Sequence, residues 1–181
     1  MKQFSNNKIL LHICCGVCSL HVIENLQKKF GEIILFWYNP NIHPEEEYKR
    51  RLAVVRKVSR LKNLPLIEGD YDPEKWFEAA AGLKNEPEGG RRCEICFRMR
   101  LEKTAQTAKE TGCNYFAATL TVSPRKSAAL VNNIGESLAK NVIFLAEDFK
   151  KEEGFKKTII EAKKLNLYRQ NYCGCVFSRQ K

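Results

Sequence analysis

The stretch KILLHICCGVC (Lys8–Cys18) decides the fold of this chain. It begins with a short apolar run, which is typical of a buried strand, and it ends in three cysteines around Gly16. Apolar side chains then recur at helical spacing over residues 19–30. A strand, a tight turn and a helix in this order predict the first unit of a parallel α/β sheet.

The same alternation continues along the chain. Strands are predicted at residues 8–13, 33–38, 64–68, 115–120 and 142–145, and helices at 19–30, 44–61, 74–81, 93–110, 127–140 and 152–165. Short connections between such elements predict one α/β domain over residues 1–181, with a doubly wound parallel sheet. Two segments are expected to elaborate it, a cysteine-bearing helical insertion at about 73–111 and a C-terminal tail at about 166–181.

The composition limits the functional classes. The polar N-terminus and the short apolar run after it fit neither a signal peptide nor a membrane span, so we expect a cytoplasmic protein without a membrane partner. In a reducing compartment, eight cysteines indicate metal ligands or catalytic thiols rather than disulfides. The net charge of +10 favours a nucleic-acid partner, although helix faces that mix Lys with Glu explain part of it.

Five cysteines carry the strongest chemical signal. Cys15 with Cys18, and Cys93 with Cys96, have the two-residue spacing that lets one turn direct two thiolates at a single metal. Cys14 adds a fifth soft ligand, and Gly16 is expected to supply the backbone freedom of the turn. The preferred interpretation is a [4Fe–4S] cluster on Cys14, Cys15, Cys93 and Cys96, with Cys18 left for a second role. A four-cysteine zinc site stays open as the alternative.

A different thiol motif, Cys173-Gly174-Cys175, lies near the C-terminus. Its spacing is too tight for relaxed chelation of one ion, and a disulfide across it would close a small strained ring. We interpret it as a redox-active dithiol, with metal ligation or a simple terminal turn as alternatives. Cys113, by contrast, is expected to be a buried apolar side chain.

Polar residues at predicted strand ends and helix starts complete the candidate site. Asp70 follows the third strand, at the edge where open sheets bind ligands, and is a candidate for metal binding or proton transfer, with an Asx turn as the alternative. Ser123, Arg125 and Lys126 lead into a helix and suit phosphate binding. Asn39, Asn41, Tyr48 and Tyr172 could hydrogen-bond to a nucleic-acid base or stack on it, and Arg51 is a further candidate for binding such a partner.

Six blocks of sequence together resemble a known family. They are HICCGVC (12–18), NPNIHPEEEYKRR (39–51), DYD (70–72), RCEIC (92–96), TLTVSPRKS (119–127) and YRQNYCGCVFS (168–178). Each block is weak alone. In this order along nearly the whole chain, they resemble the cobalamin-independent epoxyqueuosine reductases of the QueH type.

The resemblance implies an oxidoreductase of a HUP-like α/β fold. Its expected reaction removes the epoxide oxygen of epoxyqueuosine in the tRNA anticodon loop, with tRNA and an external electron donor as partners. The implied ligands of a [4Fe–4S] cluster are Cys14, Cys15, Cys93 and Cys96. A neighbouring mononuclear metal ion, expected to be iron, has Cys18 and Asp70 as leading candidates, and Cys173 with Cys175 is the implied redox pair. No cobalamin is expected.

The sequence leaves other functional classes open. A tRNA sulfur-transfer enzyme on a similar scaffold should carry an SGGxDS-like phosphate loop after the first strand, where this chain has CCGVC. A zinc-stabilised RNA-binding module predicts a colourless protein with one zinc ion. A general thiol–disulfide oxidoreductase is less favoured, because the Cys-x-x-Cys pairs lack a thioredoxin-like context.

Overall fold

The sheet has five parallel strands in the order β3-β2-β1-β4-β5 within residues 4–178, the part of the chain that the computed structural model describes. The strands are β1 (Phe4–His12), β2 (Phe30–Trp37), β3 (Leu66–Glu68), β4 (Tyr115–Ala118) and β5 (Ile143–Phe144). This is the order of the first five strands in doubly wound nucleotide-binding folds. The fold class predicted from the sequence is therefore confirmed.

The described region contains six α-helices. They are α1 (Gly16–Lys29), α2 (Glu45–Lys62), α3 (Pro73–Ala79), α4 (Arg91–Glu110), α5 (Ala128–Ser137) and α6 (Gly154–Lys164), and short 3₁₀ helices occupy Thr119–Val122 and Val176–Ser178. Helices α1 to α5 connect the strands, and α6 follows β5. α1 begins three residues earlier than predicted, because Cys15 Sγ accepts a hydrogen bond from the Cys18 N–H and caps the helix. None of these helices is both long and apolar enough to cross a membrane.

The two faces of the sheet are buried by different helices. Along β1, Ile9 and Leu11 pack with α1, α2 and α6, whereas Leu10 packs on the opposite side with α4 and α5. Side chains alternate in this way along any strand, and here both sides are covered. The strands therefore appear in the sequence as continuous apolar runs rather than as alternating ones.

The segment 73–111 differs from the predicted insertion. Its larger helix, α4, contacts β1 and β4 and buries Phe97 and Leu101 in the second core, so it is the crossover between β3 and β4. The elaboration is the shorter part before it, α3 and the turns that follow. Trp76 of α3 packs with Cys96 and Cys175, which places the tail against the start of α4. Residues 179–181 of the predicted tail lie outside the described residues.

Candidate cysteine-rich active site

A cavity of about 430 Å³ lies at the carboxyl edge of the sheet, next to the central strand β1. Cys14 and Cys15 follow β1 directly, and Thr119 follows β4. The connections from β1 and β4 leave towards opposite sides of the sheet, and open α/β sheets bind ligands at such a point. The volume is in the range of small-molecule sites.

Three separate segments supply thiols to this cavity. The lining cysteines are Cys14 from the turn after β1 and Cys18 from the first turn of α1, Cys93 and Cys96 from the first turns of α4, and Cys173 and Cys175 from the tail. Cys15 lies directly behind them, 1% exposed. The structure thus brings together all seven cysteines that the sequence singled out, while Cys113 is buried elsewhere, beside Phe116 in the second core, as predicted.

The cysteines at the start of α1 form a compact sulfur cluster. The sulfur atoms of Cys14, Cys15 and Cys18 all lie within 4.8 Å of one another. Gly16 contributes in a different way from the expected one, because it is the first residue of α1 and does not have a positive φ. A Cβ atom at Gly16 would lie 2.6 Å from Val54 Cγ1, so glycine is needed for the close approach of α1 to α2.

Hydrogen bonds concentrate negative charge on one sulfur of this cluster. Hydrogen bonds from Cys15 and Cys18 hold the pKa of Cys14 well below its usual value. The bond to Cys14 raises the pKa of Cys15 to about 12, and that of Cys18 is raised for the same reason. The Thr119 hydroxyl also donates to Cys14 Sγ at 3.2 Å and accepts from the Cys14 N–H at 3.0 Å. A metal that binds all three sulfurs must displace the remaining protons.

The second cysteine pair lies at the start of α4. The Gly89 N–H donates to Cys93 Sγ at 3.2 Å, and burial raises the pKa of Cys96 to about 12. The helix N-terminus directs partial positive charge towards both thiols. The buried Arg92 guanidinium, from the residue before Cys93, donates to the Leu83 carbonyl at 3.0 Å and so ties the preceding loop to the helix.

The donor set fits a soft metal centre or an iron–sulfur cluster. Thiolates select zinc and iron–sulfur clusters rather than magnesium or calcium. The sulfurs of Cys14, Cys15 and Cys93 each accept from an N–H or O–H donor, and contacts of this kind orient thiolate ligands and tune a cluster where one is bound. Among the lining residues of the described chain, Glu88 is the only carboxylate.

The rest of the cavity wall is strongly basic. The lining cations are Arg51, Arg92, Arg100, Arg125, Lys126 and Arg169. Burial has the largest single effect and lowers the pKa of Lys126, but the neighbouring cysteines, Cys14 first and then Cys18, together outweigh it, so the pKa is raised. Such a wall stabilises an anionic cluster and attracts the phosphates of a nucleic acid.

The predicted substrate-binding residues divide into two groups. Those that line the cavity are Asn41, Arg51, Ser123, Arg125, Lys126 and Tyr172. Asn39 is buried beside it, where its side chain donates to the Ile13 carbonyl at 2.9 Å and accepts from Arg100 at 3.3 Å. Tyr48 is buried away from the lining and stacks on Tyr71, with ring centroids 4.0 Å apart. Asp70, the candidate for metal binding or proton transfer, is exposed and does not line the cavity. The structure therefore does not bring Tyr48 or Asp70 to the site.

Several residues of the site were not anticipated. Arg100 donates to the Cys96 carbonyl at 3.1 Å. The sequence does contain a signal for this residue, because Arg100 follows Cys96 by four positions and therefore lies on the same face of the helix. Thr119 and Trp76 had no comparable local signal. They reach the cysteines only through the packing of β4 and α3.

The fold and the site together define a doubly wound α/β protein with a thiol-rich, basic metal or redox centre at its ligand-binding edge. Comparison of sequences gives the family: the family described as epoxyqueuosine reductase QueH matches residues 9–181. The chain therefore belongs to the epoxyqueuosine reductase QueH family and is an oxidoreductase, as the sequence blocks indicated.

Three relatives illustrate the relationship, and each is named epoxyqueuosine reductase QueH. The one from Streptococcus pyogenes serotype M1 is 40% identical over 98% of this chain and 72% of its own length. The one from Staphylococcus epidermidis is 43% identical over 96% of this chain and 77% of its own length. The one from Thermotoga maritima is 38% identical over 94% of this chain and 89% of its own length.

One solved structure supports the fold. It is the U34-tRNA thiolase NcsA from Methanococcus maripaludis with its [4Fe-4S] cluster, which superimposes with a TM-score of 0.59 and covers 93% of this chain and 59% of that one. The two sequences are 12% identical. At this identity the similarity shows a shared architecture and nothing about the chemistry of this chain.

Proposed function

We propose that this protein reduces epoxyqueuosine to queuosine in tRNA, with an iron–sulfur cluster held in the thiol cavity. The reaction consumes two electrons and two protons, breaks both C–O bonds of the epoxide, and releases the oxygen as water. The observation that carries the proposal is the convergence of six thiols from three chain segments on one basic cavity at the ligand-binding edge of the sheet.

We assign the cluster to Cys14, Cys15, Cys93 and Cys96. A bound cluster would relay electrons from the dithiol one at a time, and a neighbouring metal ion, which we propose to be iron, would polarise the epoxide oxygen. Cys18 is supported as a ligand of that ion by its place on the lining, within 4.8 Å of two proposed cluster ligands. Asp70, the other candidate from the sequence, is exposed and does not line the cavity, so we do not assign it to this ion.

The tail supplies the electron pair in this proposal. Oxidation of the Cys173 and Cys175 thiols to a disulfide releases two electrons and two protons, the number that the epoxide consumes. Both cysteines line the cavity, and Cys175 packs against Cys96. An external donor would then restore the dithiol after each turnover.

Other groups of the cavity suit a tRNA substrate. Arg125 and Lys126 present positive charge for the phosphates that flank the modified nucleotide. Asn41 is 3% exposed, and its side-chain oxygen has no partner among the described residues. An unpaired buried acceptor is costly, so we assign this oxygen to a hydrogen bond with the base.

The first test is the metal content of the anaerobically purified and reconstituted protein. We expect about four iron and four acid-labile sulfide per chain, with one further metal ion, and an oxygen-sensitive visible spectrum. Zinc without sulfide would contradict the proposal and favour a zinc-stabilised RNA-binding module.

Single cysteine variants then separate the roles. Cys93→Ser should lose both the cluster and the reduction of epoxyqueuosine in tRNA, whereas the matched change Cys113→Ala, at a buried thiol outside the cavity, should keep both. Cys175→Ala should keep the cluster spectrum and lose multiple turnover. Unchanged turnover in Cys175→Ala would remove the dithiol from the mechanism.

A further inference from the structure

The tail that carries the two cysteines is held by Arg51 of α2, whose side chain is only 2% exposed. Its Nη1 donates to the Cys173 carbonyl and its Nη2 to the Tyr172 carbonyl, each at 3.1 Å. Its Nε donates to Glu47 Oε1 at 2.7 Å. The planar guanidinium thus spans from its own helix to the backbone that leads into the dithiol.

The carboxylate that orients Arg51 is itself tied to the tail. The Tyr168 hydroxyl donates to the two oxygens of Glu47, at 2.8 Å and 3.1 Å. The buried charge of Arg51 is therefore compensated by an oriented carboxylate, and each group of the network has a defined partner. Tyr168 and the Tyr172–Cys173 carbonyls lie on the same tail, so the network fastens this tail to α2 at two points.

The backbone between the two cysteines is fixed as well. The His43 N–H donates to the Gly174 carbonyl at 2.9 Å, so three consecutive carbonyls, 172 to 174, are held by groups of the protein body. Gly174 has a φ of 111°, and a Cβ atom there would lie 2.8 Å from Ile42 Cγ1 and 3.1 Å from Arg51 Nη1. Only glycine fits this conformation and this space.

We propose that Arg51 is a positioning residue for the dithiol. Its hydrogen bonds to the Tyr172 and Cys173 carbonyls keep Cys175 inside the cavity, against Cys96. This inference rests on the proposed function, because it takes the dithiol as the source of the electron pair. It assigns Arg51 a role other than tRNA binding. Its donors point at the protein's own carbonyls and carboxylate, and the side chain is withdrawn from solvent.

The test is thiol reactivity in Arg51→Lys, measured on the anaerobic holoprotein. Lysine keeps the charge but loses the fork that reaches two carbonyls. Cys175 is 6% exposed and Cys113 is 4% exposed, so both thiols should react slowly with iodoacetamide in the wild type. In Arg51→Lys we expect alkylation of Cys175, followed by mass spectrometry, to become about tenfold faster or more, with Cys113 unchanged.

The matched control is Arg56→Lys. Arg56 lies on the same helix and pairs with Glu68 through two hydrogen bonds, of 2.7 Å and 2.6 Å, but it is exposed. This variant should leave Cys175 as protected as in the wild type. Equal acceleration at Cys175 and Cys113 in Arg51→Lys would mean general loosening of the fold and would overturn the positioning role.

Steady-state kinetics gives a second readout. Loss of positioning lowers kcat by about tenfold with the KM for tRNA changed less than twofold. A raised KM with unchanged kcat would identify Arg51 as a phosphate ligand and overturn the inference. Tyr168→Phe, a milder change in the same network, should accelerate Cys175 alkylation in the same direction but less. Full protection of Cys175 in both variants would also overturn it.

The alkylation experiment is independent of the proposed reaction. If Cys175→Ala turns over like the wild type, the dithiol has no role in the reaction. The alkylation rates of Cys175 in the wild type and in Arg51→Lys still decide whether Arg51 positions the tail. If Cys175 protection is unaffected by Arg51→Lys while Cys175→Ala is inactive, the positioning role fails and the dithiol role stands.

Discussion

Replacement of Gly16 with alanine should destabilise the contact between α1 and α2 and, with it, the cysteine turn. The added Cβ would lie 2.6 Å from Val54 Cγ1, and 3.1 Å and 3.2 Å from the Val54 carbonyl carbon and oxygen. Carbon atoms pack at about 3.5–4.0 Å, so the two helices must separate locally by roughly 0.5–1 Å. Cys15, which caps α1, and Cys18, which lies in its first turn, move with this helix.

The expected loss is about 1–2 kcal/mol in the free energy of unfolding. Overpacking of this kind costs about 1–3 kcal/mol, and because Gly16 is the first residue of α1, alanine recovers only a small part of the about 0.5–1 kcal/mol that it gains in the middle of a helix. Urea denaturation followed by circular dichroism, under reducing and anaerobic conditions, measures the difference. Iron content of the reconstituted Gly16→Ala protein should fall in parallel, because the sulfur positions of the turn are disturbed.

The double variant Gly16→Ala/Val54→Ala separates the packing effect from other causes. The second substitution removes Val54 Cγ1, the atom nearest the added Cβ, but leaves the backbone of Val54 in place. The double variant should therefore regain about half of the stability that Gly16→Ala loses. Val54 is half-buried, and Val54→Ala alone should cost less than about 1 kcal/mol. A Gly16→Ala protein as stable as the wild type, or a double variant that simply adds the two losses, would refute the reasoning.

Three further outcomes can be checked on the same protein. Thr119→Val removes a hydroxyl that donates to Cys14 Sγ and should therefore raise the pKa of Cys14. In metal-free protein, the rate at which iodoacetamide alkylates Cys14 should then rise at a higher pH than in the wild type. An unchanged pH dependence would rule out this contact. Gly174→Ala places a side chain on a residue with a positive φ, at a cost of about 1–3 kcal/mol. Limited proteolysis should therefore cut the tail of this variant faster than that of the wild type. Equal rates of cleavage would contradict the close packing around Gly174. Binding of Co²⁺ to metal-free protein can be followed by its sulfur-to-metal absorption band. Because the pKa values of Cys15 and Cys96 are raised to about 12, the Co²⁺ affinity should increase about tenfold per pH unit for each proton that the metal displaces. A Co²⁺ affinity that does not change with pH would show that these thiols are not ligands.

The fold could be predicted from the sequence because both faces of the sheet are buried. Runs such as Ile33 to Phe36 are apolar throughout, and their length distinguishes them from helices. The role of segment 73–111 could not be predicted in the same way. Gly, Pro and charged residues at 82–90 interrupt the periodicity and make the whole segment look separate. Only the burial of Phe97 and Leu101 against the sheet shows that α4 is a crossover helix.

The site was predictable where its signal is local. Two-residue spacing identified the cysteine pairs, since such spacing has few structural uses in a reducing compartment. Spacing cannot show which polar residue becomes buried by tertiary packing. Tyr48 stacks on Tyr71 instead of facing the cavity, and Arg51 turns its donors towards the tail instead of towards solvent. Both residues stand within the block at 39–51, beside Asn41, which does reach the cavity.

Three buried arginines connect the architecture of the site with its electrostatics. Arg51, Arg92 and Arg100 each donate to a backbone carbonyl of a cysteine-bearing segment or of the loop beside it. Each also places its positive charge on the cavity wall. The groups that hold the thiols in position are therefore the same groups that favour an anionic cluster. A lysine in place of any of them keeps the charge but loses the planar fork, so such a variant separates the positional effect from the electrostatic one.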